Sequence, residues 1–164
     1  MASDASESRA SLQSFLLDPD YWTPRLRRLE SIPRHLVVLP RPDLSRPGIE
    51  VSELRLRAHD GERLQALLGR PAFGLEEAPI HVRPCAGLAP EELDWHCVEE
   101  GESDLIFRFP PDRRLEDRVL DVVRMSQALR SLESIARAHL ELKGREAACD
   151  ELAIAALLQD RGWI

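Results

Sequence analysis

Apolar positions change their spacing several times along the chain, and each change marks an element. From Leu12 to about Ile32, the residues Leu12, Phe15, Leu16, Trp22, Leu26 and Leu29 return at the three- and four-residue interval of a helix face. Asp18-Pro19-Asp20 interrupts that run and predicts a new helix start, with an acidic cap ahead of Tyr21. Between Ile32 and Gly48 the periodicity disappears. Pro33, Pro40, Pro42 and Pro47 fall there, which precludes a helix and disfavours a central strand. The expectation is an extended connector laid over the domain and anchored by Leu36 to Leu39.

Alternation then takes over. Ile49, Val51, Leu54 and Leu56 form one extended run, Leu64, Ala66 and Leu68 form a second, and His59-Asp60-Gly61-Glu62 lies between them. Asp-Gly tolerates the positive φ of a tight turn, so the two runs predict a hairpin. Gly69 to Pro79 reads as a loop, and Pro79-Ile80-His81-Val82 as a short strand that stops at Arg83-Pro84. Ala89 to Glu100 reads as a helix with Pro90 in its first turn and acids behind it. Asp104 to Phe109 is a strand ended by Pro110-Pro111. Leu115 to Leu132 is the longest helix, carried by Leu115, Val119, Val122, Val123 and Leu129. A short strand at His139 to Leu142 and a final helix from Ala148 complete the series.

Helical lead, hairpin, then β-α-β-α-β-α predicts an α/β domain. Its sheet is expected to be mostly parallel, with about five strands, an N-terminal antiparallel hairpin and helices on both faces. Residues 1–11, small and polar, are expected to form a disordered tail. Residues 12–48 would form the lead and connector, and residues 49–164 the α/β unit.

Composition narrows the partners. The chain has 164 residues, 43% of them hydrophobic and 31% charged, which fits one globular domain. A net charge of −7 argues against a nucleic-acid backbone as partner. The arginine groups at Arg25, Arg27, Arg28 and at Arg113, Arg114 alternate with acids and leucines, as on a solvated helix face. No apolar run approaches the ~18 residues of a membrane span. The polar start MASDASESRAS and the odd cysteine count (Cys85, Cys97, Cys149) point to a reduced, cytoplasmic setting without a disulfide framework.

Several of these segments together resemble the α/β hydrolases, and more narrowly the acetyl-xylan esterase and cephalosporin-C deacetylase group. DPDYWTPRLRRL with the proline-rich connector is similar to that family's opening helix and linker. VSELRLRAHDGERLQALLGRP resembles its hairpin, and EDRVLDVVRMSQALRSL the helix before its catalytic strand. The resemblance implies a nucleophile elbow at Gly144-Arg145-Glu146-Ala147-Ala148, where G-x-S-x-G would place a serine on a strained strand-to-helix turn. Glu146 stands at the serine position and Ala148 at the second glycine. The oxyanion segment is implied near Arg83-Pro84-Cys85, where Pro84 has no N–H to offer. The triad acid and histidine are implied beyond the elbow, in strands this sequence does not contain.

The remaining candidates read as structural. Glu146 has no carboxylate or histidine tied to it by spacing. Cys149 near a helix start would have a lowered pKa, but Asp150 and Glu151 beside it oppose that. His81, Cys85, His96 and Cys97 lack the close pairs usual in zinc sites, so no metal and no cofactor is expected. His59 is expected to be an exposed turn residue, Ser126 an ordinary helix residue, and Tyr21 and Trp22 anchors that dock the lead helix on the sheet. The expectation is a non-catalytic α/β-hydrolase-like interaction or structural subunit, the N-terminal half of such an esterase. It would form a homodimer or join a protein partner through an open edge at His139 to Leu142. The alternatives are a degenerate or split esterase completed by another chain, and a small-molecule sensor using the crevice at the carboxyl ends of the strands.

Overall fold

A computed structural model describes residues 18–135, 137–142, 154–156, 158, 159 and 162. Helix α1 spans Pro19–Ser31 and starts where Asp18-Pro19 predicts. The Asp18 side chain accepts from the Asp20 N–H, and the proline occupies a first-turn position that needs no donor. Strand β1 (Val37–Pro40) follows, then the hairpin of β2 (Ile49–Arg57) and β3 (Arg63–Pro71). Gly61 sits in its turn at φ 87°, the left-handed conformation that the Asp-Gly pair predicts. After β4 (Ile80–Pro84), helix α2 (Trp95–Glu99) crosses to β5 (Ser103–Arg108), and α3 (Leu115–Arg130) leads to β6 (Leu140–Glu141). Residues 154–156 lie in a further helix.

The fold is α/β, and the six strands among the described residues form one mixed sheet in the order β1-β2-β3-β5-β4-β6. β1, β2, β3 and β5 pair antiparallel in succession, while β4 pairs parallel with both β5 and β6. The parallel share is therefore smaller than expected, and the sixth strand comes from the connector. Val37–Pro40 pairs with Arg55 to Ser52 of β2, and an edge strand tolerates a proline that a central one would not. Its anchoring role is weaker than expected, because Val37 and Val38 are exposed.

Ala89 to Glu100 forms two pieces, a 3-10 turn at Pro90–Glu92 and then α2. The break falls at Asp94, whose carboxylate accepts from the Cys97 N–H and starts a new helix. Its own N–H donates to Asp104 Oδ2 at 2.8 Å, which ties this helix start to β5.

Strand alternation sorts the core into layers. Leu54, Leu56, Leu64, Leu68, Ile80, Val82, Leu105 and Phe107 face Val122, Met125 and Leu129 of α3. Ile49, Val51, Leu67 and Ile106 project to the opposite face and meet Leu93 and Val98 around α2. Helices therefore cover both faces. Trp22, Leu26 and Leu29 pack against Val119, Leu120 and Val123. The lead helix thus docks on α3 rather than on the sheet. Tyr21 donates to Glu116 Oε2 at 2.5 Å, and the Arg25 guanidinium stacks 3.6 Å from the Tyr21 ring centroid while binding Glu116 Oε1 at 2.7 Å.

Arg124 holds this junction. It is 1% exposed and donates to the carbonyls of Arg57, Leu29 and Ile32 at 2.7–2.9 Å. Burial lowers its pKa. No helix among the described residues is long and apolar enough to cross a membrane.

Candidate functional site

β4 and β5 run parallel, so the segments that follow them emerge at the same end of the sheet. Pro84, Cys85 and Ala86 form one wall of a cleft of about 1090 Å³ there, and Phe109, Pro110 and Pro111 form another. A crevice outside the carboxyl ends of strands is the usual ligand position in open α/β sheets. Its floor comes from the hairpin and β5: Arg57 faces Arg63 across the β2–β3 ladder, and Gln65 faces Arg108 across β3–β5. Arg57 donates to the Gly61 carbonyl and Arg108 to Gln65 Oε1. None of the three arginines is ion-paired among the described residues.

The described lining holds no serine, threonine or histidine. Its one soft nucleophile is Cys85, and burial, reinforced by a hydrogen bond to Glu92, pushes that thiol up to about 11. A thiol that is protonated at neutral pH attacks poorly. Pro84 pairs with Phe107 within the β4–β5 ladder, and the next residue, Cys85, donates its N–H to the Phe107 carbonyl at 2.8 Å. At this strand end, one residue has no N–H and the next has its N–H committed to the sheet.

The elbow positions Gly144, Arg145, Glu146 and Ala148, with Cys149 beside them, lie outside the described residues. β6, expected to be an edge strand, is the last strand of the sheet among the described residues.

A second polar centre lies on α2, β4 and the start of β5. Arg83 clamps Asp104 through two bonds of 2.6 and 2.9 Å, and also donates to the Glu92 carbonyl. Asp104 is fully buried and needs that cation. Nearby, His81 Nε2 lies 2.5 Å from Glu102 Oε2, and Cys97 Sγ lies 3.8 Å from the same oxygen. Of the four residues with loose metal-like spacing, the structure brings together His81 and Cys97. Cys85 belongs to the cleft, and His96 is exposed beside Glu100 at 3.1 Å. Glu102 completes the group and has no local sequence signal; only the β4-α2-β5 crossover reveals it.

A third cluster joins the hairpin turn to α3. His59 is not free in the turn; its Nε2 meets Asp117 Oδ1 at 2.9 Å. Arg113 does not face solvent either: its side chain is 6% exposed and pairs with Asp60 and Asp121. Asp121 is fully buried, and that burial, partly offset by Arg113, pushes its carboxyl up to about 7. A lone aspartate inside the apolar run Val119 to Val123 is the signal that would have found it. Ser126 bonds its hydroxyl to the Val122 carbonyl of its own helix and is structural.

No protein-family model and no curated protein matches the chain. Solved structures do resemble it. An acetyl xylan esterase from Paenibacillus sp. R4 superposes with a TM-score of 0.59 at 16% identity, over 74% of this chain and 49% of that one. Acetyl xylan esterase 1 from Thermoanaerobacterium sp. JW/SL YS485 gives 0.55 at 13% identity, over 74% and 48%. Over most of its length the chain shares the fold of these two esterases. The chain spans about half the length of these esterases, and identities this low speak for the fold alone.

Proposed function

We propose that this chain is a non-catalytic α/β-hydrolase-like subunit that acts by binding. The observation that carries this is the cleft. At the carboxyl ends of β4 and β5, its described lining offers prolines, guanidinium groups, the Glu62 carboxylate and a protonated thiol, with no serine or histidine. Acyl transfer needs a nucleophile within reach of a base and aligned donors for the oxyanion. Glu146, where the sequence resemblance would place a serine, supports the same reading. Incubation of the purified chain with p-nitrophenyl acetate tests it, and no turnover above the protein-free rate is expected.

The binding role we favour is assembly through the sheet edge at β6, with a second copy or another protein chain. β6 is paired on one side only among the described residues, and an unpaired strand edge is a template for a further strand. A light-scattering mass of twice the monomer at micromolar concentration would support the homodimer. A monomeric mass, with no protein bound at the edge, would count against assembly.

One observation favours a small-molecule role beside it. Three guanidinium groups line the cleft beside a single carboxylate, Glu62, in a chain whose net charge is −7, and none of the three is ion-paired among the described residues. That arrangement suits a small anion with two or more carboxylate or phosphate groups, which guanidinium groups bind in forked pairs. A rise in melting temperature with a di- or tricarboxylate, lost in Arg63→Ser, would support this role.

A further inference from the structure

We propose that His81, Cys97 and Glu102 form a binding site for a divalent transition metal, and that Zn²⁺ suits its chemistry best. Three separate parts of the chain supply the ligands. β4 carries His81, α2 carries Cys97, and Glu102 lies between α2 and β5. Their ligand atoms all lie within 4.8 Å of one another. Ligands of a tetrahedral zinc ion stand roughly 3.2–3.8 Å apart, given metal–ligand bonds of about 2.0–2.3 Å. Side-chain adjustments of about 1 Å would therefore close the set around an ion, with no change in the backbone.

Protons now hold the cluster: Glu102 Oε2 is bonded to the imidazole and receives the Cys97 thiol. A metal ion would take the place of those protons. The thiol would release its proton to solvent and coordinate as thiolate, and the imidazole would present a lone pair from Nε2. Sulfur, nitrogen and carboxylate oxygen together match zinc, whereas magnesium and calcium take oxygen ligands. Three protein ligands leave a fourth position open to water or to a further donor.

The surroundings favour a cation. Glu99 and Glu100 flank the end of α2, the latter against His96, and Glu141, which contacts His139, pairs with His81 in the β4–β6 register. The nearby cation Arg83 is neutralised by Asp104. Cys97 is 5% exposed, while the side chains of His81 and Glu102 are 29% and 42% exposed, so the soft ligand is sheltered and the other two form the way in. Asp94, which caps Cys97, fixes the first turn of α2 and with it the position of the thiol.

None of the three ligands lines the cleft or lies on β6, so failure of the site would leave both readings standing. The test is a Co²⁺ titration of the full chain carrying Cys85→Ser and Cys149→Ser, which leaves Cys97 as the single thiol. A near-ultraviolet thiolate-to-cobalt band saturating at one equivalent and displaced by Zn²⁺ is expected. His81→Gln and Glu102→Gln should each weaken binding at least about tenfold, and Zn²⁺ should raise the melting temperature of the unsubstituted chain but not of Cys97→Ser. If the double serine variant is unfolded by circular dichroism, the cobalt band is read on the unsubstituted chain against Cys97→Ser. Absence of the band, or binding unchanged by His81→Gln and Glu102→Gln, or a band that survives Cys97→Ser in that comparison, would overturn the site.

Discussion

On the α3 side of the sheet, leucines and Phe107 from β2, β3 and β5 meet Val122, Met125 and Leu129 in one apolar layer. On the α2 side, the six described buried apolar residues share the surface with Glu53, Arg83 and Asp104. The cleft arginines and the His81 cluster both lie on this second face, at opposite ends of β4 and β5. Strand alternation assigns one face to stability and leaves the other free to carry charge and ligands. A buried charged pair adds little net stability compared with apolar packing; Arg83–Asp104 lies within this second face, whereas the buried Arg113–Asp121 pair on the other side lies near the start of α3, beside the hairpin turn.

The largest effect should come from the dry face. Phe107 is fully buried and packs edge-on against Phe109, with ring centroids 5.0 Å apart. Phe107→Ala is expected to cost about 4 kcal/mol in urea denaturation. A loss under about 1 kcal/mol would mean that the core does not rest on this layer.

On the polar face, Arg83→Met strands the Asp104 carboxylate inside the protein and should cost about 3 kcal/mol. Arg83→Met combined with Asp104→Leu should recover at least half of that. If the double variant is as unstable as the single one, packing rather than the missing charge is responsible, and the contrast between the faces weakens.

Asp121 gives a pH signature. Its carboxyl is raised from 3.8 to about 7, so the folded chain holds this proton more tightly than the unfolded chain. The resulting contribution to stability is full below about pH 4 and is lost as the pH rises through 7. Relative to the unsubstituted chain, Asp121→Asn should gain about 2 kcal/mol between pH 5 and pH 8. A stability difference that stays flat across that range would show that Arg113 keeps the carboxylate ionised throughout.

The smallest effect on stability is expected in the cleft. Arg57, Arg63 and Arg108 are exposed, and replacing all three with serine should change stability by no more than about 0.5 kcal/mol per site. If they serve a ligand, the same variant should lose the melting shift produced by a polycarboxylate.

Much of this fold was legible because its signals are local. Asp18-Pro19 set the start of α1, Asp60-Gly61 set the hairpin turn, and the period from Leu115 to Leu129 set α3 within a residue or two. The connector hid a strand because Val37–Pro40 is only four residues long and takes its place from pairing with β2. The break between Pro90–Glu92 and α2 was hidden because the bond from the Asp94 N–H to Asp104 is tertiary. The candidate sites were the least legible part. Arg57 meets Arg63 only through the hairpin register, and Glu102 meets His81 only through a crossover, so no spacing in the sequence announces either group. His59 and Arg113 looked like surface residues for the same reason: Asp117 and Asp60 become their partners only when the hairpin turn reaches α3, and Asp121 meets Arg113 from further along that helix.

The most direct measurement is ester hydrolysis by the purified chain, at neutral pH, with p-nitrophenyl acetate. A non-catalytic subunit predicts a rate equal to that of protein-free buffer, unchanged by Glu146→Ala, Cys85→Ser or Cys149→Ala. Sustained turnover that disappears in Glu146→Ala or Cys149→Ala would show that the chain kept its chemistry.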